Sequence, residues 1–221
     1  MIFELLALGV LSALRPATSQ AAVVALLRAP DARRLLLAFT LTGLIVSIAV
    51  GTLIVVAFDG AGNAFGRSSF AAAFDVLAGV AALAFAAGVK QGRVSPPHRA
   101  ASKPKSPSRI TTRLSHPSAR TAAVAGVATH VPGLIYLVVL NAIAAEDFRG
   151  GEATLYVAVY NLLWFAIPII ALALAVFSPG TANVYLGRGA AWARENEEWL
   201  LVTSFAALGA YLVIKGVVAL A

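Results

Sequence analysis

Residues 35–58 read LLLAFTLTGLIVSIAVGTLIVVAF, a run of 24 residues without a charged side chain. About 20 apolar residues in a helix cross the hydrocarbon core of a bilayer. Residues 154–177 form a second run of this kind. In lipid only helices and closed barrels satisfy the backbone, and barrels show short alternating segments instead of long apolar runs. The two runs therefore predict an all-α membrane protein.

The composition of the whole chain agrees with this prediction. Of its 221 residues, 60% are hydrophobic and 12% are charged, with a mean hydropathy of +0.85. A soluble domain carries about 25% charged residues. The net charge of +7 lies mostly between apolar segments, so the bilayer explains it better than a nucleic-acid partner. The absence of cysteine excludes disulfides and thiolate metal sites, and no metal or other cofactor is expected.

Six segments are long and apolar enough to be transmembrane helices. They are residues 2–27, 35–58, 70–89, 121–145, 153–177 and 199–220. The first lacks a basic start and contains Arg15, which favours a membrane helix over a cleaved signal peptide. Residues 59–63 predict a turn, and residues 178–198 predict a short interfacial helix with Trp192 and Trp199 at headgroup depth.

The linker at residues 90–120 sets the predicted orientation. It holds eight Lys or Arg, five prolines and no acidic residue, so it cannot bury a core. Basic loops stay in the cytoplasm. This places 13 basic residues inside and two outside, in a bacterial inner (plasma) membrane with both termini outside. Binding of anionic lipid headgroups is an alternative use of the linker.

Cutting the chain at the linker gives two halves of three helices each. The first half is residues 1–89 and the second is residues 121–221, with the basic cytoplasmic linker 90–120 between them. An odd number of spans per half means that the second half enters from the opposite side. The sequence therefore predicts six transmembrane helices built as two inverted three-helix repeats, as in many secondary transporters.

The first helix of each half carries a proline near its middle. Pro16 follows Arg15, and Pro132 follows His130 by two residues and precedes Gly133. A proline inside a helix removes a backbone hydrogen bond, and in lipid the freed carbonyl needs another partner. Matched breaks of this kind point to a substrate site near the midplane. The alternative is a pair of ordinary kinks.

Polar groups near these breaks are the candidate substrate-binding residues. Arg15 lies about 20 Å along its helix at 1.5 Å per residue, which places it near the midplane. There it can hold a phosphate, sulfate or carboxylate of a substrate through its fork of donors. Alternatively, it is an internal cation bound by the carbonyls that Pro16 frees. The full set is Arg15, Pro16, Thr18, His130, Pro132, Gly133 and Asn161.

Three of the polar residues have a second interpretation each. His130 can relay protons or act as a neutral hydrogen-bonding group. Asn161 can bind substrate or join helices. Asp75 and Lys215 lie at equal depth from the outer ends of their helices, which predicts an ion pair, with Asp75 as an alternative proton carrier.

The chain resembles the GAP family of peptidoglycolipid addressing proteins, which includes the mycobacterial sulfolipid addressing proteins and branches from the LysE-like transporter superfamily. Three stretches carry the resemblance: the Arg15-Pro16 break with the basic turn 28–34, the stretch His130–Tyr136, and the Asn-to-Pro pattern of residues 160–170. LysE-type exporters of amino acids tend to show Pro-Gly-Pro at the first break, where this chain has Arg15-Pro16-Ala17.

The resemblance implies a role in exporting or addressing an anionic cell-envelope glycolipid, in an actinobacterium. Rival interpretations are a LysE-type exporter of amino acids or cations, and a scaffold that recruits lipid-synthesis or export machinery without transporting. Catalytic motifs and phosphate-binding loops are missing from the sequence, so an enzyme is not expected. The expected partners are the envelope lipid and membrane lipids, and the sequence leaves a homo-oligomer open.

Overall fold

The computed structural model describes residues 2–14, 18–94, 118–146, 148 and 151–221. Within these ranges the chain forms ten α-helices and no strand. The helices are α1 (Ile2–Leu14), α2 (Thr18–Leu27), α3 (Ala32–Phe65), α4 (Arg67–Lys90), α5 (Ala119–Thr129), α6 (Leu134–Ala145), α7 (Glu152–Trp164), α8 (Ala166–Phe177), α9 (Pro179–Glu195) and α10 (Glu197–Leu220). The predicted break at Arg15 and Pro16 and most of the predicted linker lie outside the described residues.

Three helices are long and apolar enough to cross a membrane alone, namely α3, α4 and α10. Two further pairs pass the same test together, α5 with α6 and α7 with α8, although each pair is bent. The described residues therefore contain three to five candidate spans, which agrees with an all-α multi-pass membrane protein. The first predicted segment appears as two short helices on either side of residues 15–17.

The predicted turn at residues 59–63 is wrong. Helix α3 continues through it to Phe65 and ends at Gly66, whose φ of +86° suits a residue without a Cβ. Arg67 holds this end together, since its Nη2 lies 2.8 Å from Asp59 Oδ1 and donates to Asn63 Oδ1 at 3.2 Å. With 34 residues α3 is about 51 Å long, which exceeds the roughly 30 Å hydrocarbon core.

The fourth predicted segment is broken at the place where the sequence predicted a break. Helix α5 ends at Thr129, helix α6 begins at Leu134, and their axes differ by 69°. Pro132 lies in the break, where it has no N–H to offer a helix, and Gly133 is extended with φ −108° and ψ −179°.

The fifth predicted segment is also broken, and the sequence analysis did not predict this. Helices α7 and α8 meet at Phe165 with a bend of 60°. Pro168, three residues later, cannot donate a hydrogen bond to the Trp164 carbonyl one turn earlier, and its ring crowds that turn. The proline rule applied to Pro132 would have found this bend as well.

Helices α4 and α10 pack against each other as an antiparallel pair. The contacts pair Ala72 with Gly216, Gly79 with Gly209, and Phe85 with Phe205. Residue numbers therefore increase along α4 as they decrease along α10. A Cβ at Gly209 would lie 2.8 Å from the backbone oxygen of Gly79, which shows how closely the two backbones approach. Small residues allow such packing in membranes. Ala78, Ala82 and Ala86, which recur every four residues along α4, are all buried.

The predicted interfacial segment forms helix α9, which contacts α2 and α8. Its Trp192 side chain is 53% exposed, and Trp199 at the start of α10 is 62% exposed. Arg33 at the start of α3 caps the neighbouring end of α8, because its Nη2 donates to the Val176 carbonyl at 2.9 Å. The placement of these tryptophans at headgroup depth stays a prediction.

Candidate functional site at the junction of the broken spans

The two broken spans meet at their breaks. The His130 ring, which lies at the break between α5 and α6, stacks on the Phe165 ring at the break between α7 and α8. Their centroids are 3.8 Å apart and their planes differ by 20°. Phe39 of α3 and Trp164 of α7 contact the same imidazole edge-on, at 5.7 and 5.1 Å. The imidazole is therefore enclosed by aromatic rings from two other spans, α3 and the broken span α7–α8, and only 4% of His130 is exposed.

His130 also completes the end of its own helix. Its Nδ1 lies 2.9 Å from the Gly126 carbonyl oxygen, which can only accept a hydrogen bond. Nδ1 therefore carries a hydrogen, and Thr129 Oγ1 lies 3.2 Å from the same nitrogen. A helix end leaves carbonyls without helical partners. The side chain of His130 supplies one of these partners at the point where Pro132 prevents the helix from continuing.

A chain of buried hydrogen bonds lies beside the aromatic rings. Asn161 Nδ2 donates to the Tyr136 hydroxyl at 3.1 Å, and this hydroxyl donates to the Ser47 carbonyl at 2.6 Å. The same Nδ2 donates to the Val157 carbonyl at 2.8 Å. Asn161 Oδ1 is fully buried and has no hydrogen-bond partner among the described residues. Leaving a buried acceptor unpaired is costly, so this oxygen is suited to accept from a ligand or a water molecule.

Helix α1 contacts this cluster through the Ser12 hydroxyl. Ser12 Oγ lies 2.6 Å from the Tyr160 hydroxyl, and both side chains are buried. The Tyr160 ring packs against Tyr136 at 5.5 Å, and the Tyr136 ring packs against Trp164 at 5.0 Å. The first predicted span therefore contacts the same place as the fourth and fifth.

The structure brings some of the predicted site residues together in a form that the sequence did not predict. His130 and Asn161 are joined through Trp164 and Tyr136, and aromatic rings fill the space between them. Pro132 and Gly133 lie at the break itself, and Thr18 begins α2. Arg15 and Pro16 lie outside the described residues, so their part in the site stays a prediction.

A second, partly buried polar cluster lies near the N-terminal ends of α1 and α4 and the C-terminal end of α10. Lys215 Nζ is 3.1 Å from Asp75 Oδ2 and 2.9 Å from Glu4 Oε1. Asn141 Nδ2 donates to Asp75 Oδ1 at 3.1 Å and to the Ala71 carbonyl at 3.2 Å. The expected contact of Asp75 with Lys215 is thus present, within a larger cluster that joins four helices. Its role in proton coupling stays a prediction.

Sequence reasoning missed Glu4, Ser12, Tyr136, Asn141, Tyr160 and Phe165. Two signals were available. Glu4 and Ser12 lie eight residues apart, so they share a helix face, and Pro168 marks the bend that exposes the end of α7 at Phe165. Asn141 lies seven residues after Leu134, on a helix whose buried face is not apparent from an almost wholly apolar sequence.

The chemistry available at the junction is binding and hydrogen-bond exchange. It offers hydroxyls, an amide and an imidazole, and the polar groups come from α1, α3, α6 and α7 as well as the α5–α6 break. Among the described residues, no group of three or more His, Cys, Asp or Glu is placed to hold a metal ion. Such a cluster of broken helices around buried polar groups is typical of the binding sites of secondary transporters.

This construction defines the class: an all-helical, multi-pass membrane protein whose broken spans meet at a buried polar junction. The chain belongs to the family of the Sap, sulfolipid-1-addressing protein, whose family model matches residues 5–218. The match confirms the addressing-protein part of the resemblance, whereas the link to the LysE-like superfamily remains a resemblance. No curated protein and no solved structure matches the chain.

Proposed function

We propose that the protein is an integral membrane exporter, or export accessory, for an anionic cell-envelope lipid or glycolipid. The junction of the two broken spans at His130 and Phe165 is the observation that carries this proposal, because midplane breaks are where helical transporters bind their cargo. The family supplies the lipid, since its name refers to addressing of sulfolipid-1. The proposal includes no catalytic step and no cofactor.

The proposed architecture is six transmembrane helices in two inverted repeats, with both termini outside a bacterial plasma membrane. The broken first span is α1 with α2, and its counterpart is α5 with α6. These two spans contact each other, α1 with α6 and α2 with α5. The third helices of the two halves, α4 and α10, form an antiparallel pair, as inverted repeats related by a twofold axis require.

The substrate has two chemical features that this site can bind. Its anionic group, a sulfate, phosphate or carboxylate, pairs with the guanidinium of Arg15. Its sugar hydroxyls donate to Asn161 Oδ1, the buried acceptor without a partner among the described residues. Substrate binding opens the ring packing at His130 and Phe165. The site is then exposed alternately to the two sides of the membrane. The proton relay through His130 or Asp75 belongs to the same proposal.

The test is the appearance of the envelope lipid on the outer surface of a deletion strain complemented at matched expression. We expect Arg15→Ala and Arg15→Lys to impair export to nearly the same degree, because lysine lacks the planar fork of donors. Arg28→Ala is the matched control, since Arg28 is an exposed cation of the same half. Asn161→Leu removes the unpaired acceptor and is expected to reduce export as well.

Each rival function predicts a different result in this assay. Full rescue by Arg15→Ala would contradict the anion site and leave Arg15 as a structural cation. A scaffold that recruits lipid-synthesis or export machinery tolerates both Arg15→Ala and Asn161→Leu. A small-solute exporter leaves the surface lipid unchanged even in the deletion strain.

A further inference from the structure

The apolar interior of the bundle is divided into two separately packed cores. The first holds buried side chains of α2, α5, α8 and the first part of α3, including Leu26 and Leu36. The second holds buried side chains of α1, α4, α6, α7, α10 and the later part of α3, including Leu8 and Leu140. We call them the α2–α5–α8 core and the α1–α6–α7 core. Of each successive pair α1–α2, α5–α6 and α7–α8, one helix belongs to each core, so the boundary between the cores lies at the breaks.

A pair of aromatic rings lies at the boundary between the two cores. Phe165 is fully buried, yet its ring belongs to neither core and stacks on His130 instead. Helix α3 passes this pair of rings at Gly43, where a Cβ would lie 2.8 Å from Phe165 Cε1. A substrate that moves from one core to the other therefore has to pass His130 and Phe165, which we call the ring layer.

Each side of the ring layer carries a buried oxygen that has no hydrogen-bond partner among the described residues. On the side of the α1–α6–α7 core it is Asn161 Oδ1, one turn before Phe165. On the side of the α2–α5–α8 core it is Oγ1 of Thr40, a residue that is 3% exposed. Leu36 of that core lies four residues before Thr40 and Gly43 lies three residues after it, so the three share one face of α3. The face that carries Thr40 is therefore the one that meets the ring layer.

The Thr40 hydroxyl is available to bind another molecule. Threonine in a helix can donate its hydroxyl hydrogen to the carbonyl one turn earlier, as Thr129 does to the Ala125 carbonyl at 2.7 Å. Thr40 makes no such bond to Leu36, so its hydroxyl can both donate and accept. Among the buried residues of α2, α3, α5 and α8 that the structure describes, none is charged. This neutral surrounding suits a hydroxyl group of a ligand better than a sulfate or a phosphate.

We propose that Thr40 is a second substrate-binding residue, which binds a hydroxyl of the lipid headgroup across the ring layer from Asn161. The inference rests on the proposed function for the nature of the ligand. Ser47 lies level with Asn161, because Tyr136 bonds to both, and it is seven residues or about 10 Å along α3 from Thr40. The two positions therefore bind different hydroxyls, and the preferred headgroup is an extended oligosaccharide with hydroxyls on both sides of the layer.

The place of Thr40 in the fold suits a binding residue that has to stay still while the rings separate. His130 and Phe165 lie at the breaks of their spans, where the chain changes direction. Helix α3 is uninterrupted and contributes side chains to both cores. A hydroxyl bound to Thr40 is therefore held by a continuous helix when the ring layer opens.

The experiment measures binding of two synthetic lipids to the full chain in nanodiscs. The first, the maltose lipid, is a dialkylglycerol with a sulfated maltose headgroup, and the second is the dialkylglycerol sulfate without the sugar. The exposed Trp192 and Trp199 are replaced by Phe, which leaves Trp164 as the only tryptophan. The Trp164 ring contacts His130 at 5.1 Å, so its fluorescence changes when a ligand opens the ring layer.

The expected result is a loss of affinity that depends on the sugar. Thr40→Val should weaken binding of the maltose lipid about five-fold, which is the effect of one ordinary hydrogen bond. It should leave binding of the dialkylglycerol sulfate unchanged, and Thr40→Ser, which keeps the hydroxyl, should retain the parent affinity for both lipids. The proposal is overturned if Thr40→Val binds the maltose lipid as tightly as the parent does. It is also overturned if the parent binds the maltose lipid no better than the sulfate without sugar.

Thr52→Val is the matched control. Thr52 Oγ1 is also fully buried and has no partner among the described residues. Thr52 lies 12 residues further along α3, about a third of a turn round the helix from Thr40, so it does not share the face that meets the ring layer. Thr52→Val should keep the parent affinity for both lipids. An equal loss in Thr52→Val would contradict the assignment to Thr40.

Unfolding measurements separate a binding role from a structural one. Valine has nearly the shape of threonine and removes an unpaired polar atom from the interior, so Thr40→Val and Thr52→Val should both melt at or above the temperature of the parent. A lower melting temperature for Thr40→Val alone would show that its hydroxyl is bonded within the protein, and the proposal would be wrong.

The Thr40 position and the export function fail in different ways. A five-fold effect of Thr40→Val on the maltose lipid, in a protein whose deletion leaves the surface lipid unchanged, keeps the binding position and ends the export proposal. Loss of surface lipid on deletion, together with parent-like affinity of Thr40→Val for the maltose lipid, ends the Thr40 position alone.

Discussion

The α4–α10 pair packs through closely approaching backbones, whereas the two broken spans pack through large side chains. Helices α4 and α10 are continuous over 24 residues each and contact through glycine and alanine, with backbones close together. The broken spans, α5–α6 and α7–α8, change direction by 69° and 60° and fill the space between them with aromatic rings. Close backbone packing leaves no room for rearrangement, whereas rings and side-chain hydrogen bonds can be exchanged.

The difference indicates that the two pairs have different roles in the bundle. The α4–α10 pair has few side-chain atoms to rearrange, and it forms the frame on which Asp75 and Lys215 are held at fixed positions. The bends of the broken spans are stabilised by hydrogen bonds of His130, Asn161 and Tyr136. A ligand can replace hydrogen bonds of this kind. Substitutions in the frame should therefore affect stability, and substitutions at the junction should affect transport.

The largest expected effect is on the frame. In Gly209→Ala the new Cβ would lie 2.7 Å from Leu83 Cγ and 2.8 Å from the Gly79 carbonyl oxygen, and the second contact is with backbone that cannot turn away. We expect a loss of about 1–3 kcal/mol in the free energy of unfolding, measured in detergent micelles. Gly60→Ala is the matched control, because Gly60 is exposed in α3 and its Cβ would meet nothing within 4 Å.

The control should change stability in the other direction. Alanine in a helix interior is favoured over glycine by about 0.5–1 kcal/mol, so Gly60→Ala should be slightly stabilising. Equal stability of the Gly209→Ala and Gly60→Ala proteins would show that α4 and α10 have space between them. In that case the contrast between a rigid frame and a rearranging junction would lose its basis.

The sequence predicted the frame better than the junction. Apolar length alone located α3, α4 and α10. Equal depth and opposite charge predicted the contact of Asp75 with Lys215. Each of these inferences uses only positions along straight helices, which the sequence determines.

The junction was harder because it depends on where helices bend and on which neighbours then meet. Pro132 gave one break, but the stacking of His130 on Phe165 requires the positions of two bent spans at once. Glu4 contacts Lys215 across 211 positions in the chain, which no local pattern encodes. The expected turn at residues 59–63 failed for a simpler reason: two glycines remained helical, and the helix ended at Gly66.

A smaller effect is expected for His130→Phe, which separates its two interpretations. The phenyl ring preserves the stack on Phe165 and removes the hydrogen bond to the Gly126 carbonyl. We expect a loss of about 1 kcal/mol in unfolding free energy, the usual value of one hydrogen bond. If His130 serves only to cap α5, export per folded molecule should stay near the wild-type value. Abolished export at nearly normal stability would identify His130 as a proton relay.

The smallest expected effect concerns the hydrogen bond between Ser12 of α1 and Tyr160 at the junction. Ser12→Ala, Tyr160→Phe and the double variant form a cycle that isolates the 2.6 Å contact between the two hydroxyls. Hydrogen bonds between membrane helices have an average coupling of about 0.6 kcal/mol, and we expect a coupling of that size in unfolding measurements. The other interactions of Tyr160 are the same in both halves of the cycle, so they cancel.

The cycle also decides whether the contact between Glu4 and Lys215 can influence the junction. If α1 moves as a rod, neutralising Glu4 displaces Ser12, and the coupling measured on a Glu4→Gln background should fall towards zero. The same cycle on the Glu146→Gln background is the control and should retain the full coupling, since Glu146 is exposed at the end of α6. A coupling that is equal on both backgrounds would mean that α1 bends between Glu4 and Ser12. The Glu4–Lys215 contact and the junction would then be independent parts of the molecule.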